Sequence, residues 1–378
     1  ALDIGRISAE DRQEGIAELE FELRSGQASD LFDLVRSLGG AARLRIGVLT
    51  KSERGYRLAA GDEPVSVKAE PVVLRRGMSS ADAFAAIVRS CIRHFRLNEP
   101  ILIATRSTES LHQARVAMRR LRSALSLFGD LVADRDSEGL KRRLRTASGL
   151  LGEGRNLDVY IEGVSAQAGD PEDAAEALAA FLTGLRADRE RAYDRILAML
   201  DSPRFRRLML DLLFWTEAGP WRTDPERRAA CKRPIEEHAA ELLAKRRRRV
   251  KRRGEHLDRI DPAARHEVRI DAKKLRYASE FFAGLVADGK SGRRHKTFLA
   301  ALEKIQGCLG DLNDIQTARE IAADIARQAG GARAGLTREA DHVEAARQDR
   351  EVALLEAAVS AHEDFVAAKP FWKDFARG

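Results

Sequence analysis

The 378 residues suffice for two or three domains, and a 44% hydrophobic share allows a sizeable core. A net charge of +7 is modest for a chain that is 33% charged, so a uniformly cationic surface is excluded and local basic stretches carry the excess. No run of about 18 apolar residues is present, which excludes a membrane-spanning helix, and the widely spaced Cys91, Cys231 and Cys308 form neither a CxxC site nor a disulfide framework and read as reduced thiols of a cytosolic protein.

No cleavable signal pattern opens the chain, and Ala1 stands in what reads as mid-domain sequence, as expected of a trimmed or fragmentary chain. Residues 1–75 differ from the rest. In 16–23, Leu19, Phe21 and Leu23 alternate with Glu18, Glu20 and Glu22, a period of two that predicts a strand with a carboxylate face. Residues 27–38 predict a short helix capped by Ser29. Residues 44–58 read as one or two strands around a bend at 51–55, and 64–74, with Pro64 and Pro71, as a strand or extended linker.

From Ser79 onward the apolar spacing is helical. A helix over 81–95 carries the basic row Arg89, Arg93 and Arg96 and is expected to break at Pro100. The next helix holds the stretch LHQARVAMRRLRSALSLF at 111–128. Ala114, Ala117, Met118, Leu121, Ala124, Leu125 and Phe128 gather on one face, and His112, Arg115, Arg119 and Arg122 on the other. Neighbouring cations at i,i+3 and i,i+4 repel by roughly 0.2–0.5 kcal/mol per solvated pair, so carboxylates or an anionic ligand should offset the row. A helix over 139–151 should be interrupted by Gly152-Glu153-Gly154 and resume at 157–161. A loop at 165–176 with Gly169 and Pro171, long helices over 174–200 and 203–216, and a boundary at 219–225 follow.

The second half opens with a helix containing KRRRRVKRR at 245–253, whose Arg246, Arg249 and Arg253 form a further basic row. After Pro262, RHEVRIDAKKLRYASEFF at 265–282 repeats the earlier stretch. A shift of 154 carries His112 onto His266, Arg115 onto Arg269, Arg119 onto Lys273 and Arg122 onto Arg276, with Arg120 falling on Lys274. A shift of 158 carries Leu151-Gly152-Glu153 onto Leu309-Gly310-Asp311. Two similar shifts in the same order indicate an internal duplication. A loop at 289–292, helices over 298–309 and 315–329 around Gly310-Asp311, a stop at Gly330-Gly331 and a last helix over 337–360 complete the chain.

Each copied row spans about 15 Å, and arginine suits a linear polyanion because its planar fork stays charged and grips phosphate bidentately. One histidine per row, without a nearby Cys or a helical His pair, is a weak metal signal, and no nucleophile stands beside either. A phosphate-donor role fits the row, and a structural cap is the alternative. Glu153, Asp158, Asp311 and Asp314 lack calcium-loop spacing and are expected to orient arginines of adjacent helices.

Two resemblances follow. ELEFELRSG, LFDLVRSL and KSERGYRL resemble the C-terminal half of a CYTH domain, the triphosphate tunnel metalloenzyme fold, without its E-x-E-x-K strand. About half the barrel is then missing, its acidic face is left open to solvent, and no catalysis is expected from this part. LHQARVAMRRLRSALSLF, LLGEGRNLDV, RHEVRIDAKKLRYASEFF and CLGDLND resemble the CHAD domain, a histidine-bearing helical family that often follows CYTH domains. The run Gly154-Arg155-Asn156 departs from its usual L-R-D pattern.

The resemblance implies a mainly α chain. Two pseudo-twofold-related four-helix bundles, over 76–222 and 223–378, enclose a basic central cavity behind the partial α+β segment 1–75. It implies inorganic polyphosphate as partner, with His112, Arg115, Arg119, Arg122, His266, Arg269, Lys273 and Arg276 as matching site residues. Arg120, Lys274 and the rows Arg89/Arg93/Arg96 and Arg246/Arg249/Arg253 line the same site. No metal, cofactor, enzymatic activity or membrane contact is implied, and the location is the cytoplasm, at polyphosphate granules. Nucleic-acid binding competes, although Tyr277 is the sole aromatic within the rows. So do metal-dependent triphosphate or polyphosphate hydrolysis, had the barrel been complete, and chelation by the histidines.

Overall fold

The computed structural model describes residues 1–39, 42–61, 65–167, 174–286, 289–328 and 337–377. Gly330-Gly331, Pro64 and the Gly169–Pro171 loop lie outside them. Among the described residues are two strands and thirteen α-helices, a mainly α chain with a small β element at its start. Its contacts divide it into two units. The first is Ala1–Glu70 with Ala81–Lys232, and the second is Pro71–Ser80 with Arg233–Gly378.

The first unit begins with a hairpin of β1 (Leu2–Ala9) and β2 (Arg12–Leu19), paired antiparallel with Asp3 opposite Glu18. The strand expected at 16–23 is thus shifted toward the N-terminus. Directly opposed residues share a face, so Asp3, Ile7, Glu14, Ile16 and Glu18 face one way. Helix α2 (Lys51–Ala60) covers that face. Lys51 bonds Asp3 and Glu20, and Arg54 bonds Glu14 and Glu18. The carboxylate face is therefore closed by cations, contrary to expectation, and the opposite apolar face lies in solvent, with Leu2 64% and Ile4 78% exposed.

Two further expectations for this segment fail for local reasons. Residues 51–60 are helical, because Thr50 and Glu53 form a reciprocal capping box: the Thr50 hydroxyl accepts from the Glu53 N–H and the Glu53 carboxylate from the Thr50 N–H. Helix α1 (Ala28–Leu38) is capped at Gln27, whose N–H donates to Asp30 at 2.9 Å, and not at Ser29.

The remainder of the first unit is helical: α3 (Ser80–Thr105), α4 (Thr108–Leu127), the single turn α5 (Gly129–Val132), α6 (Ser137–Gln167), α7 (Ala174–Asp201), α8 (Pro203–Ala218) and the short α9 (Arg228–Lys232). Helix α3 runs through Pro100, which is exposed. Burial of Ile101 and Leu102 keeps the last turn helical although Arg96 loses its amide donor. Helix α6 runs through Gly152 and Gly154 without interruption. Gly154 is a packing point: a Cβ there would lie 2.7 Å from Ile196 Cδ1 and 3.1 Å from Leu111 Cδ2, so its side chain is absent to let α4 and α7 approach. Phe84, Phe128, Trp215 and Trp221 form an aromatic core at 5.3–6.0 Å. Trp221 is fully buried there and donates to the Trp215 carbonyl at 2.8 Å, which ties 219–225 into this unit. The division accordingly falls at Arg233 and not within 219–225.

The second unit contains α10 (Ile235–Arg253), α11 (Pro262–Phe281), α12 (Lys290–Gln328) and α13 (Thr337–Ala367). Helix α12 is continuous from Lys290, so neither the loop expected at 289–292 nor a break at Gly310 interrupts it. The extended segment 71–75 belongs here. Val72 and Leu74 are buried, and their backbone passes within 3.1–3.2 Å of the place a Cβ would take on Gly284.

The duplication extends to the ends of the copied helices. The Ser107 hydroxyl accepts from Ser110 N–H at the start of α4, and the Asp261 carboxylate accepts from Ala264 N–H at the start of α11. Phe128 and Phe282, both fully buried, close them. Caps of this kind contribute about 1 kcal/mol each.

Candidate cation faces of the two units

In the first unit the buried stripe of α4 is Leu111, Ala114, Ala117, Met118, Leu121, Ala124 and Leu125, and it faces the core as the periodicity predicts. The opposite face carries His112, Arg115, Arg119 and Arg122. Helix α6 packs on α4 and brings Arg145 and Arg155 to the same row. The Arg115 guanidinium lies over Gly152 of α6, its Nε 3.7 Å from the place a Cβ would take. Burial lowers the His112 pKa below its ordinary value, Arg155, Arg119 and Arg115 lower it further, and Glu109 opposes them. Burial, with Arg145 and Arg119 beside it, also lowers Arg122. The Arg119 Nε is buried with no hydrogen-bond partner.

In the second unit, α11 turns Val268, Ala272, Leu275, Ala278 and Phe281 inward. Arg269 lies over Gly310 as Arg115 lies over Gly152, with Nη2 at 3.5 Å from the Cβ position. His266 Nδ1 is 2.6 Å from Asn313 Oδ1. Arg276 donates to Glu280 at 2.5 Å and to Gln306 at 3.1 Å. Lys273 is half-buried on the same helix. Asp271, only 3% exposed, accepts from Arg249 at 2.7 Å and Arg253 at 2.9 Å, so it fastens α10 to α11. Burial lowers Arg246 and Lys274 at this seam. Neither Asp271 nor Glu280 was singled out from the sequence. The i,i+4 spacing of Arg276 and Glu280 was a signal for that pair.

Not every predicted cation joins these faces. Arg93 bonds Glu53, Glu70 and the Val48 carbonyl, and Arg96 bonds the Ile46 carbonyl and Glu99. Both therefore hold the N-terminal segment on α3 and are withdrawn from a ligand row. Arg89 pairs with Glu217 at 2.5 Å. Arg120 is buried and lowers the neighbouring His94 pKa, after the larger effect of burial. Asn98 takes part in the same docking: it accepts from Val67 N–H and donates to the Val67 carbonyl, both at 2.9 Å. Of the expected acidic orienters, Asp158 is fully buried and accepts from Arg189 at 2.8 Å and Tyr193 at 2.9 Å, and Glu153 meets Arg195 at 3.4 Å. Among the described residues no group of three or more His, Cys, Asp or Glu is placed to hold a metal ion, and no helix is long and apolar enough to cross a membrane.

Each unit thus carries a capped helix with a cationic face opposite its core stripe, a duplicated helical architecture. The chain belongs to the CHAD domain family, whose model matches residues 86–323. The crystal structure of the CHAD domain from the plant Ricinus communis is similar, with a TM-score of 0.63 and 26% identity over 81% of this chain and 98% of that one. PptA from Streptomyces chartreusis aligns with a TM-score of 0.49 and 19% identity over 80% of this chain and all of that one. An inorganic triphosphatase of Haemophilus influenzae is 40% identical over 60 residues, 16% of this chain. The match spans only 17% of that relative's length and accords in part with the CYTH-like reading of the N-terminal segment.

Proposed function

We propose that this chain binds inorganic polyphosphate without hydrolysing it, in the cytoplasm and at polyphosphate granules. The observation that carries the reading is the α4–α6 face of the first unit, where Arg119 and Arg145 stand beside Arg122, and Arg115, Arg119 and Arg155 stand beside His112. Repulsion of roughly 0.2–0.5 kcal/mol per pair is relieved when an anion lies along the row. A phosphate chain presents a charge at every unit and needs no base or sugar to be held, which suits rows poor in aromatics. CHAD membership supports the reading, since the family is associated with polyphosphate.

The test is binding of labelled polyphosphate against salt, for wild type and an Arg119→Glu/Lys273→Glu double variant. Binding should weaken steeply as salt rises, because each phosphate contact releases a condensed counterion, and the double variant should bind at least tenfold more weakly. Equal affinity in the two proteins removes the site. Displacement by RNA at equal phosphate concentration would instead favour nucleic acid.

The short match to an inorganic triphosphatase favours a second reading, hydrolysis of short phosphate chains. The carboxylates it would use, Asp3, Glu14, Glu18 and Glu20, are engaged by Lys51 and Arg54. Magnesium-dependent phosphate release from tripolyphosphate by this chain would establish it.

A further inference from the structure

The two copies agree in cap, core stripe and the Arg-over-Gly contact, and they differ in acid. The shift of 154 carries Gln113 onto Glu267, Ala117 onto Asp271 and Ser126 onto Glu280. Each of these three carboxylates takes a cation of the second unit. Glu280 accepts from Arg276 at 2.5 Å, Asp271 from Arg249 and Arg253 at 2.7 and 2.9 Å, and Glu267 from Arg253 at 3.3 Å. The first unit has neutral side chains at the same three positions.

The consequence is visible at the next shell of charge. On α4 the groups acting on Arg122 are Arg145 and Arg119. Those acting on His112 are Arg155, Arg119 and Arg115, against Glu109, whose carboxylate accepts from Gln113 at 2.7 Å. Arg155 reaches Glu162 only at 3.5 Å. The position of Arg155 is that of Asn313 in the other copy, where a neutral amide meets the histidine at 2.6 Å. Among the described residues no carboxylate bonds Arg119 or Arg122, whereas Arg276 of the second unit is paired with Glu280; a buried arginine Nε without an acceptor occurs in both copies, at Arg119 and at Arg269, and does not set them apart.

A polyanion is captured through cations that release counterions when it arrives. A cation already paired with a protein carboxylate releases fewer, and the displaced carboxylate then repels the ligand. We infer that the two faces are unequal: the α4 face of the first unit captures the phosphate chain and sets its salt dependence, while Glu280 holds the α11 face of the second unit in a self-neutralised state of weaker grip. This division rests on the polyphosphate reading above.

The experiment uses the full chain and labelled polyphosphate, with affinity measured by fluorescence anisotropy across a salt series. Arg119→Gln/Arg122→Gln should weaken binding at least tenfold at low salt. It should lower the slope of log affinity against log salt by about 1.4, at about 0.7 per lost contact to a single strand. Lys273→Gln/Arg276→Gln should cost less than threefold. Glu280→Ser, which installs the residue of the other copy, should tighten binding severalfold and steepen the slope, and the gain should vanish when Arg276→Gln is added. The reciprocal Ser126→Glu, on an exposed position of α4, should weaken binding by placing a carboxylate one turn from Arg122. Equal losses from the two Gln pairs, or no gain from Glu280→Ser together with no loss from Ser126→Glu, would overturn the inference while leaving polyphosphate binding intact. A wild-type chain that binds no polyphosphate removes the underlying reading and the inference with it.

Discussion

The Arg269 guanidinium lies against Gly310, its Nη2 3.5 Å from the position a Cβ would take, and Arg115 repeats the relationship with Gly152 at 3.7 Å. In each unit a glycine on the neighbouring helix leaves a flat bed for the second cation of the row. A single methyl group fits, since these separations are ordinary contact distances; anything longer occupies the guanidinium's place. Gly310→Ala and Gly152→Ala should therefore keep polyphosphate affinity and gain up to about 1 kcal/mol of helix stability. Gly152→Leu should displace Arg115 and weaken binding severalfold, as read by titration beside a melting curve.

Helix α6 offers an internal control for glycine. Gly149 has nothing within 4 Å of its Cβ position, whereas Gly154 has Ile196 Cδ1 at 2.7 Å. Gly149→Ala should stabilise by up to about 1 kcal/mol. Gly154→Ala should destabilise, by about 1–3 kcal/mol for an overpacked core position. Melting temperatures that move in the same direction would contradict the packing role of Gly154.

The N-terminal segment is docked by named polar contacts. Asn98 brackets both backbone groups of Val67, and Arg93 joins Glu53 and Glu70. Asn98→Ala should leave the half-buried Val67 N–H without its acceptor, while His94 Nε2 at 3.0 Å still meets the Val67 carbonyl, at a cost of about 1–3 kcal/mol. With Arg93→Ala added, the segment should become sensitive to limited proteolysis while α3 and α4 stay resistant. Unchanged cleavage in the double variant would show that the apolar contacts, such as Phe32 on Phe214 at 5.2 Å, hold the segment alone.

Affinity should respond to pH through His112. Burial first, then Arg155, Arg119 and Arg115, keeps its pKa below 6.5 in the free protein, so the ring is neutral at pH 7. A bound phosphate favours the imidazolium and raises the pKa. Binding then takes up a proton, and affinity should rise as pH falls from 8 to 6. His112→Gln should flatten that dependence.

Stability should follow the opposite course. His94, His112, His295 and His362 all have pKa values lowered, chiefly by burial. A histidine whose folded pKa lies below its unfolded value of 6.5 binds protons more readily when unfolded. Its contribution is present above about pH 6.5 and is lost as pH falls through that value toward the folded pKa. The melting temperature of the free chain should drop between pH 7 and 5, and polyphosphate should reduce the drop.

Much of this architecture was legible in the chain itself. A helical period with core on one side and cations on the other, met twice at a shift of 154, is local information, and it survives as α4 and α11 with their matched caps. The carboxylate-bearing strand was legible in kind and misplaced in register, because the pattern alone does not say where pairing with β1 begins. Gly154 and Pro100 were misread for a common reason: a residue that breaks an isolated helix is tolerated when neighbouring helices bury the turns around it. Which cations are available was decided only by tertiary structure. Arg93 and Arg96 stand in a row as regular as that of Arg119 and Arg122, yet the first pair is held by Glu53, Glu70 and Glu99 while, among the described residues, no carboxylate bonds the second and Arg122 stands beside Arg145 and Arg119. Sequence sets the charge of each residue and the face of the helix it occupies; the partner that compensates that charge comes from another part of the chain, brought within hydrogen-bonding distance only by folding.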